Sequence, residues 1–149
     1  MNKIEIEIPE GKKAEWVNSV LTLVDDDVKV RIKTFEDACN ELGENHQYVR
    51  AYREWMRISY VECEDVAAYM KLRIITAALN EGWEPQFVKG ELRWYVWFSK
   101  GVGRMFAHAN GAGSNSYADH GVRLAFRTKE LAEYCGKQFL YIWADYLLK

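Results

Sequence analysis

The sequence predicts an α+β fold in one domain. An antiparallel β-meander (about 92–127) packs against a central helix (about 65–81) and a C-terminal helix (about 129–148), with a β-element at the N-terminus. Three observations predict it. The stretch from Asp65 to Glu81 is apolar on nearly every side, which places a helix at the centre of a fold. After Pro85 the apolar period changes from helical to two, and segments rich in β-branched and aromatic residues follow. After Thr128 the helical period returns and runs to the end of the chain.

Taken in order, Ile4, Ile6 and Ile8 alternate with Lys3, Glu5 and Glu7, the pattern of a strand with one buried face, stopped by Pro9-Glu10-Gly11. Trp16-Val17 and Val20–Val24 flank Asn18-Ser19, which predicts a hairpin turn. The run Asp25-Asp26-Asp27 reads as a solvated connection. Residues 1–27 are thus expected as a β appendage, and 28–149 as the α+β core. Thr34 as N-cap, Glu36 and Asp37 in the first turn and Gly43 past the end predict a short helix at 35–42. Tyr48, Val49, Tyr52, Trp55 and Met56 then fall at helical spacing. Arg50, Arg53 and Arg57 lie on the opposite side, as a solvated face or, alternatively, a phosphate-contacting one. Gly82 and Pro85 stop the central helix.

Three meander strands are expected: Leu92–Ser99, Val102–Ala109 and Gly121–Arg127. Asn110–Ser116, rich in Gly, Asn and Ser, reads as a flexible polar tip. Leu131, Tyr134, Cys135, Phe139, Ile142, Trp143, Tyr146 and Leu147 keep one apolar stripe through the last helix.

Composition narrows the function classes. With 149 residues, 49% apolar and 28% charged, the chain has the balance of an ordinary globular domain. No run reaches the roughly 18 apolar residues of a membrane span, and the N-terminus has no apolar stretch of signal-peptide length. A cytoplasmic protein that does not engage a membrane is expected. Cys39, Cys63 and Cys135 lack CxxC spacing and read as reduced thiols. The net charge of −2 argues against strong nonspecific DNA binding. Yet residues 87–127 carry Lys89, Arg93, Lys100, Arg104, Arg123 and Arg127 against only Glu91 and Asp119, so the aromatic part of the chain is also its basic part.

Strand alternation separates the meander's two faces. Leu92, Trp94, Val96 and Phe98, with Val122, Leu124 and Phe126, form the core side. The other side collects Arg93, Tyr95, Trp97, Arg123 and Arg127, with Arg104, Phe106 and His108 assigned to it from the middle strand. Rings that stack on bases and guanidiniums that neutralise phosphates are the parts of a single-stranded nucleic-acid platform. Cover by a helix or by the N-terminal strands would instead make the same rings core residues.

Other chemistry is thin. His108, Ser114, Ser116, Tyr117, Asp119 and His120 gather near the polar tip, but a metal site lacks further ligands of fixed geometry. A Ser-His-Asp reading has only residue types to support it. Gly101-Val102-Gly103 lacks the third glycine of GxGxxG, and Gly136-Lys137 continues into Gln138 rather than Ser or Thr. No cofactor and no catalytic residue are expected.

Several segments are similar to a family of small uncharacterised proteins encoded by phages and prophages of anaerobic gut bacteria. They are Thr34–Cys39, Lys71–Ile75, Ala77–Pro85, Arg93–Phe98, Gly121–Leu124 and Glu130–Phe139, so the resemblance covers most of residues 34–146. It implies a phage-type context in a bacterial cytoplasm, and it transfers no site residue. The expectation is a phage-type accessory protein, more a binder than an enzyme. It would contact single-stranded nucleic acid through Arg93, Tyr95, Trp97, Arg104, His108, Arg123 and Arg127. The alternative is a protein-interaction or assembly module, docking a phage or host protein or a second copy, with Tyr95 and Trp97 as anchors. A small enzyme at the polar tip is the third reading.

Overall fold

A computed structural model describes residues 4–59, 63–100, 106–114 and 121–149, with backbone alone for Lys100, 106–112 and Ser114. The architecture is α+β. An N-terminal hairpin, β1 (Lys12–Val17) and β2 (Val20–Asp25), leads into α1 (Val28–Arg31), α2 (Phe35–Leu42), α3 (Gln47–Ile58) and α4 (Glu64–Leu79). A second hairpin, β3 (Arg93–Lys100) and β4 (Phe106–Ser114), follows. A single 3-10 turn (Val122–Leu124) then precedes α5 (Lys129–Gln138) and α6 (Leu140–Leu148).

Local chemistry explains most boundaries. Asn18 and Ser19 both take positive φ, 48° and 66°, the conformation of a two-residue turn whose twist matches a hairpin. At α2 the Thr34 hydroxyl accepts from Asp37 N–H while the Asp37 carboxylate accepts from Thr34 N–H, a reciprocal capping box. The carboxylate also accepts from Lys33 N–H, and that bond first, with those to Thr34, holds the Asp37 carboxyl below its usual range. Asp27, the end of the acidic run, caps α1, a one-turn helix that the sequence reading does not identify. Helix α4 is the hub of the core: Leu72, Ile74, Ile75 and Leu79 have no exposed surface, and α2, α3, α5 and α6 all pack on it.

Four sequence expectations are corrected. Ile4–Ile8 joins no ladder among the described residues, and all three isoleucines are exposed. A lone alternating segment has no hydrogen-bonded neighbour to make it a strand. Second, the polar tip is not a loop from its start: β4 runs to Ser114, pairing Gly111 with Val96 and Gly113 with Trp94. Small residues suit this place. A Cβ on Gly113 would stand 3.1 Å from Leu92 Cδ1 and 3.5 Å from the Trp94 ring. Of the expected strand 102–109, residues 102–105 lie outside the described residues. Third, Gly121–Arg127 is not a full strand. It meets β3 at one residue pair, Phe126 with Trp94, through bonds of 3.0 and 2.7 Å. The 3-10 turn withdraws residues 122–124. The outer edge is held by Asn80 instead, whose Nδ2 donates to Ala125 O (2.8 Å) and whose Oδ1 accepts from Arg127 N–H (3.1 Å). Fourth, the C-terminal helix breaks at Phe139 (φ −112°, ψ 31°), itself buried. The break lets α5 lie on β3 and β4 while α6 lies along α4.

An ionic knot ties the N-terminal hairpin to this core. Glu81 meets Arg31 (2.7 Å), Arg127 (2.6 Å) and Lys13 (3.5 Å), and Arg31 also bonds Glu41 (2.9 Å). Burial pushes the Glu81 carboxyl up, but its bonds to Arg31 and Arg127 outweigh this and hold it below the usual carboxylate range. A carboxyl lowered in the folded state stabilises above its unfolded pKa, and that stability is lost as pH falls through the folded value. Thermal melts are therefore expected to change little between about pH 7 and 5 and to drop below about pH 4.5. Glu81→Gln should melt lower at pH 7 and show a shallower acid drop.

Candidate nucleic-acid interface

Strand β3 sorts its rings as alternation requires. Trp94, Val96 and Phe98 pack on the core, Phe98 with its ring 5.7 Å from Trp143. Trp97 stands on the opposite side, 55% exposed. No helix covers it. For a ring this large, that exposure leaves much apolar surface in water. Leu92, expected on the core side, is also exposed, because the chain enters the strand only at Arg93.

Exposure along the Trp97 side is graded. Arg93, at the start of β3, is 1% exposed and therefore not part of an open basic face. Its guanidinium lies over the Phe87 ring (5.0 Å to the centroid) and 3.5 Å from Glu91. Glu91 in turn accepts the backbone N–H groups of Gln86 and Phe87. These two backbone bonds and nearby Arg93 hold its carboxyl below the usual range. Arg93 thus anchors the 86–91 loop. Tyr95 is half-buried, and a Cβ on Gly121 would come within 3.3 Å of its ring. Trp97, farthest along, is open.

The remaining expected residues are spread. Arg127 is exposed but neutralised by Glu81. Arg123, on the 3-10 turn two residues beyond Gly121, is exposed and has no ion-pair partner among the described residues. Its turn brings it to a cleft with Arg73, Trp83 and Phe87, residues the sequence reading did not single out. A signal for one of them exists: Arg73 and Thr76 are polar positions at a spacing of three within the mostly apolar second half of the central helix. Arg104 lies outside the described residues. His108 pairs with Ser99 in the ladder, and its side chain is outside them too. Asn115–His120, the rest of the polar tip, is likewise outside. The face is therefore Tyr95 and Trp97, with Arg123 two residues beyond the Gly121 that approaches Tyr95, smaller and less basic than alternation alone predicts.

The arginine stripe on α3 follows its solvated reading at two positions: Arg53 pairs with Glu36 (2.8 Å) and Glu44 (3.3 Å), Arg57 with Glu54 (2.6 Å). Cys39 and Cys135 are buried free thiols, pushed up by burial to about 11 and about 12, so neither is a nucleophile near neutral pH. Among the described residues no group of His, Cys, Asp and Glu could hold a metal ion, and no helix is long and apolar enough to cross a membrane. Comparison with protein-family models, curated proteins and solved structures finds no match to this chain.

Proposed function

We propose that this protein is a phage-type accessory protein of the bacterial cytoplasm that binds single-stranded nucleic acid and carries out no catalysis. One observation carries the reading: Trp97 stands 55% exposed on a strand whose alternate rings are packed away. An open indole offers a π-face to any base, and Arg123, without a carboxylate partner among the described residues, supplies charge for a phosphate. The phage context rests on the resemblance of residues 34–146. The reducing compartment rests on three free cysteines. Titration of a fluorescent single-stranded oligonucleotide should show binding that weakens with salt along a shallow line. Each neutralised phosphate adds about 0.7 to the slope for single strands, and this face has few cations.

A second reading, an assembly module, is favoured by a different observation. In the N-terminal hairpin, Ala14, Trp16, Leu21 and Leu23 share one face by register, and Trp16 is 74% exposed. Ile4, Ile6 and Ile8 add exposed apolar surface beside it in sequence. Light scattering across a hundredfold range of concentration should then give a mass above one chain that returns to one chain in Trp16→Ser. A single-chain mass throughout would remove self-assembly.

A further inference from the structure

The cleft that receives Arg123 has a built interior. Its volume is about 280 Å³, near the lower end of small-molecule sites. Tyr48 comes from α3, Arg73 and Thr76 from α4, Trp83 and Phe87 from the segment after α4, and Arg123 from the 3-10 turn. Along α4 and its C-cap, Arg73, Thr76 and Asn80 form a polar stripe at i, i+3 and i+7, and Thr76 and Asn80 are buried. Asn80 is committed to Ala125 and Arg127. The other two are not. Thr76 is 2% exposed, and neither its hydroxyl nor Arg73 Nε has a hydrogen-bond partner among the described residues. A buried helical threonine ordinarily returns its hydroxyl to the carbonyl one turn earlier, so an orphan here is unusual.

Charge and shape agree on the ligand class. The Arg73 guanidinium lies 4.0 Å over the Tyr48 ring, and neither Arg73 nor Arg123 has an ion-pair partner among the described residues. Glu84 is the one carboxylate among the described lining residues. Planar guanidiniums recognise phosphate oxygens in bidentate fashion, and the rings of Tyr48, Trp83 and Phe87 suit a flat partner. We propose that this cleft binds a phosphorylated nucleobase, supplied by a free nucleoside monophosphate or by the terminal nucleotide of a strand. The base takes the aromatic wall, the phosphate meets the two arginines, and the Thr76 hydroxyl gains a partner. Because Thr76 Oγ1 and Arg73 Nε are closed to solvent, the Arg73 side chain moves off Tyr48 on binding. The site shares Arg123 with the Trp97 face and does not otherwise depend on it.

Calorimetric titration of the whole chain with AMP, UMP, adenosine and inorganic phosphate tests this, alongside a trinucleotide with and without a 5′-phosphate. AMP or UMP should bind more tightly than adenosine or phosphate. Arg73→Gln should weaken that binding about tenfold or more. Thr76→Val should weaken it about fivefold while raising the melting temperature, because it removes a buried orphan hydroxyl. That pairing separates a ligand contact from a structural role. Equal affinity for AMP and the phosphorylated trinucleotide supports the free nucleotide as source. A marked preference for the phosphorylated trinucleotide supports the strand end. No binding of any phosphorylated probe at millimolar concentration overturns the proposal, as does affinity unchanged in Arg73→Gln. Failure of AMP and both phosphorylated probes, with binding of the unphosphorylated trinucleotide intact, overturns the cleft and leaves the Trp97 face standing.

Discussion

Asn80→Ala is expected to destabilise the fold by about 2–4 kcal/mol and lower its melting temperature by about 5–15 °C. The reason lies in what the amide replaces. Residues 125–127 run extended, with Phe126 bonded to Trp94 on one edge and Asn80 on the other. The Asn80 side chain therefore does the work of a missing neighbouring strand, offering a donor to Ala125 O and an acceptor to Arg127 N–H. Asn80 is 3% exposed and Ala125 1% exposed, so water cannot take over these bonds once the amide is gone. Asn80→Leu restores volume but neither bond and should be no better than alanine. The loss should also loosen the 3-10 turn that carries Arg123. A variant that melts within about 1 °C of the native protein would contradict this role.

Trp97→Ala and Arg123→Ala are expected to weaken oligonucleotide binding in different ways. Removing the indole costs one stacked base, about 1–3 kcal/mol, or roughly fivefold to a hundredfold in affinity. The salt slope should stay as it was, because no phosphate contact is lost. Removing Arg123 should flatten the slope by about 0.7. Stability should change little in both, since Trp97 and Arg123 are exposed and pack no core. Two variants with the same loss and the same slope would mean that the face does not act as ring plus cation.

What was legible in the sequence depended on local signals. The turn at Asn18-Ser19, the N-cap at Thr34, the stop at Gly43 and the apolar helix over 65–81 are each written within a few residues, and each is found. Alternation in β3 correctly separated Trp94, Val96 and Phe98 from Trp97. It went too far with Arg93, because alternation names a side of the strand and says nothing of what covers it. Here the 86–91 loop, held by Glu91, folds over that end. Non-local events explain the other differences. Glycine and asparagine in Asn110–Ser114 usually signal a loop, but they pair along β3, and at Gly113, opposite Trp94, a Cβ would crowd Leu92 and the indole. Helix propensity continued through Phe139, yet two separate surfaces, the second hairpin and α4, had to be covered. The Arg73–Thr76 pair was visible as spacing on the central helix. Its meaning appears only when Tyr48, Trp83 and Arg123 are brought to it from distant parts of the chain.

The most direct measurement follows the indole N–H resonance of Trp97 by NMR, assigned through its absence in Trp97→Phe, as a single-stranded oligonucleotide is added at about 50 mM salt, where phosphate contacts are strong. The nucleic-acid reading predicts that the Trp97 signal shifts with saturation, while the signal of Trp143, 5% exposed in the core, stays in place. A Trp97 signal that does not move, or moves no more than that of Trp143, would contradict it.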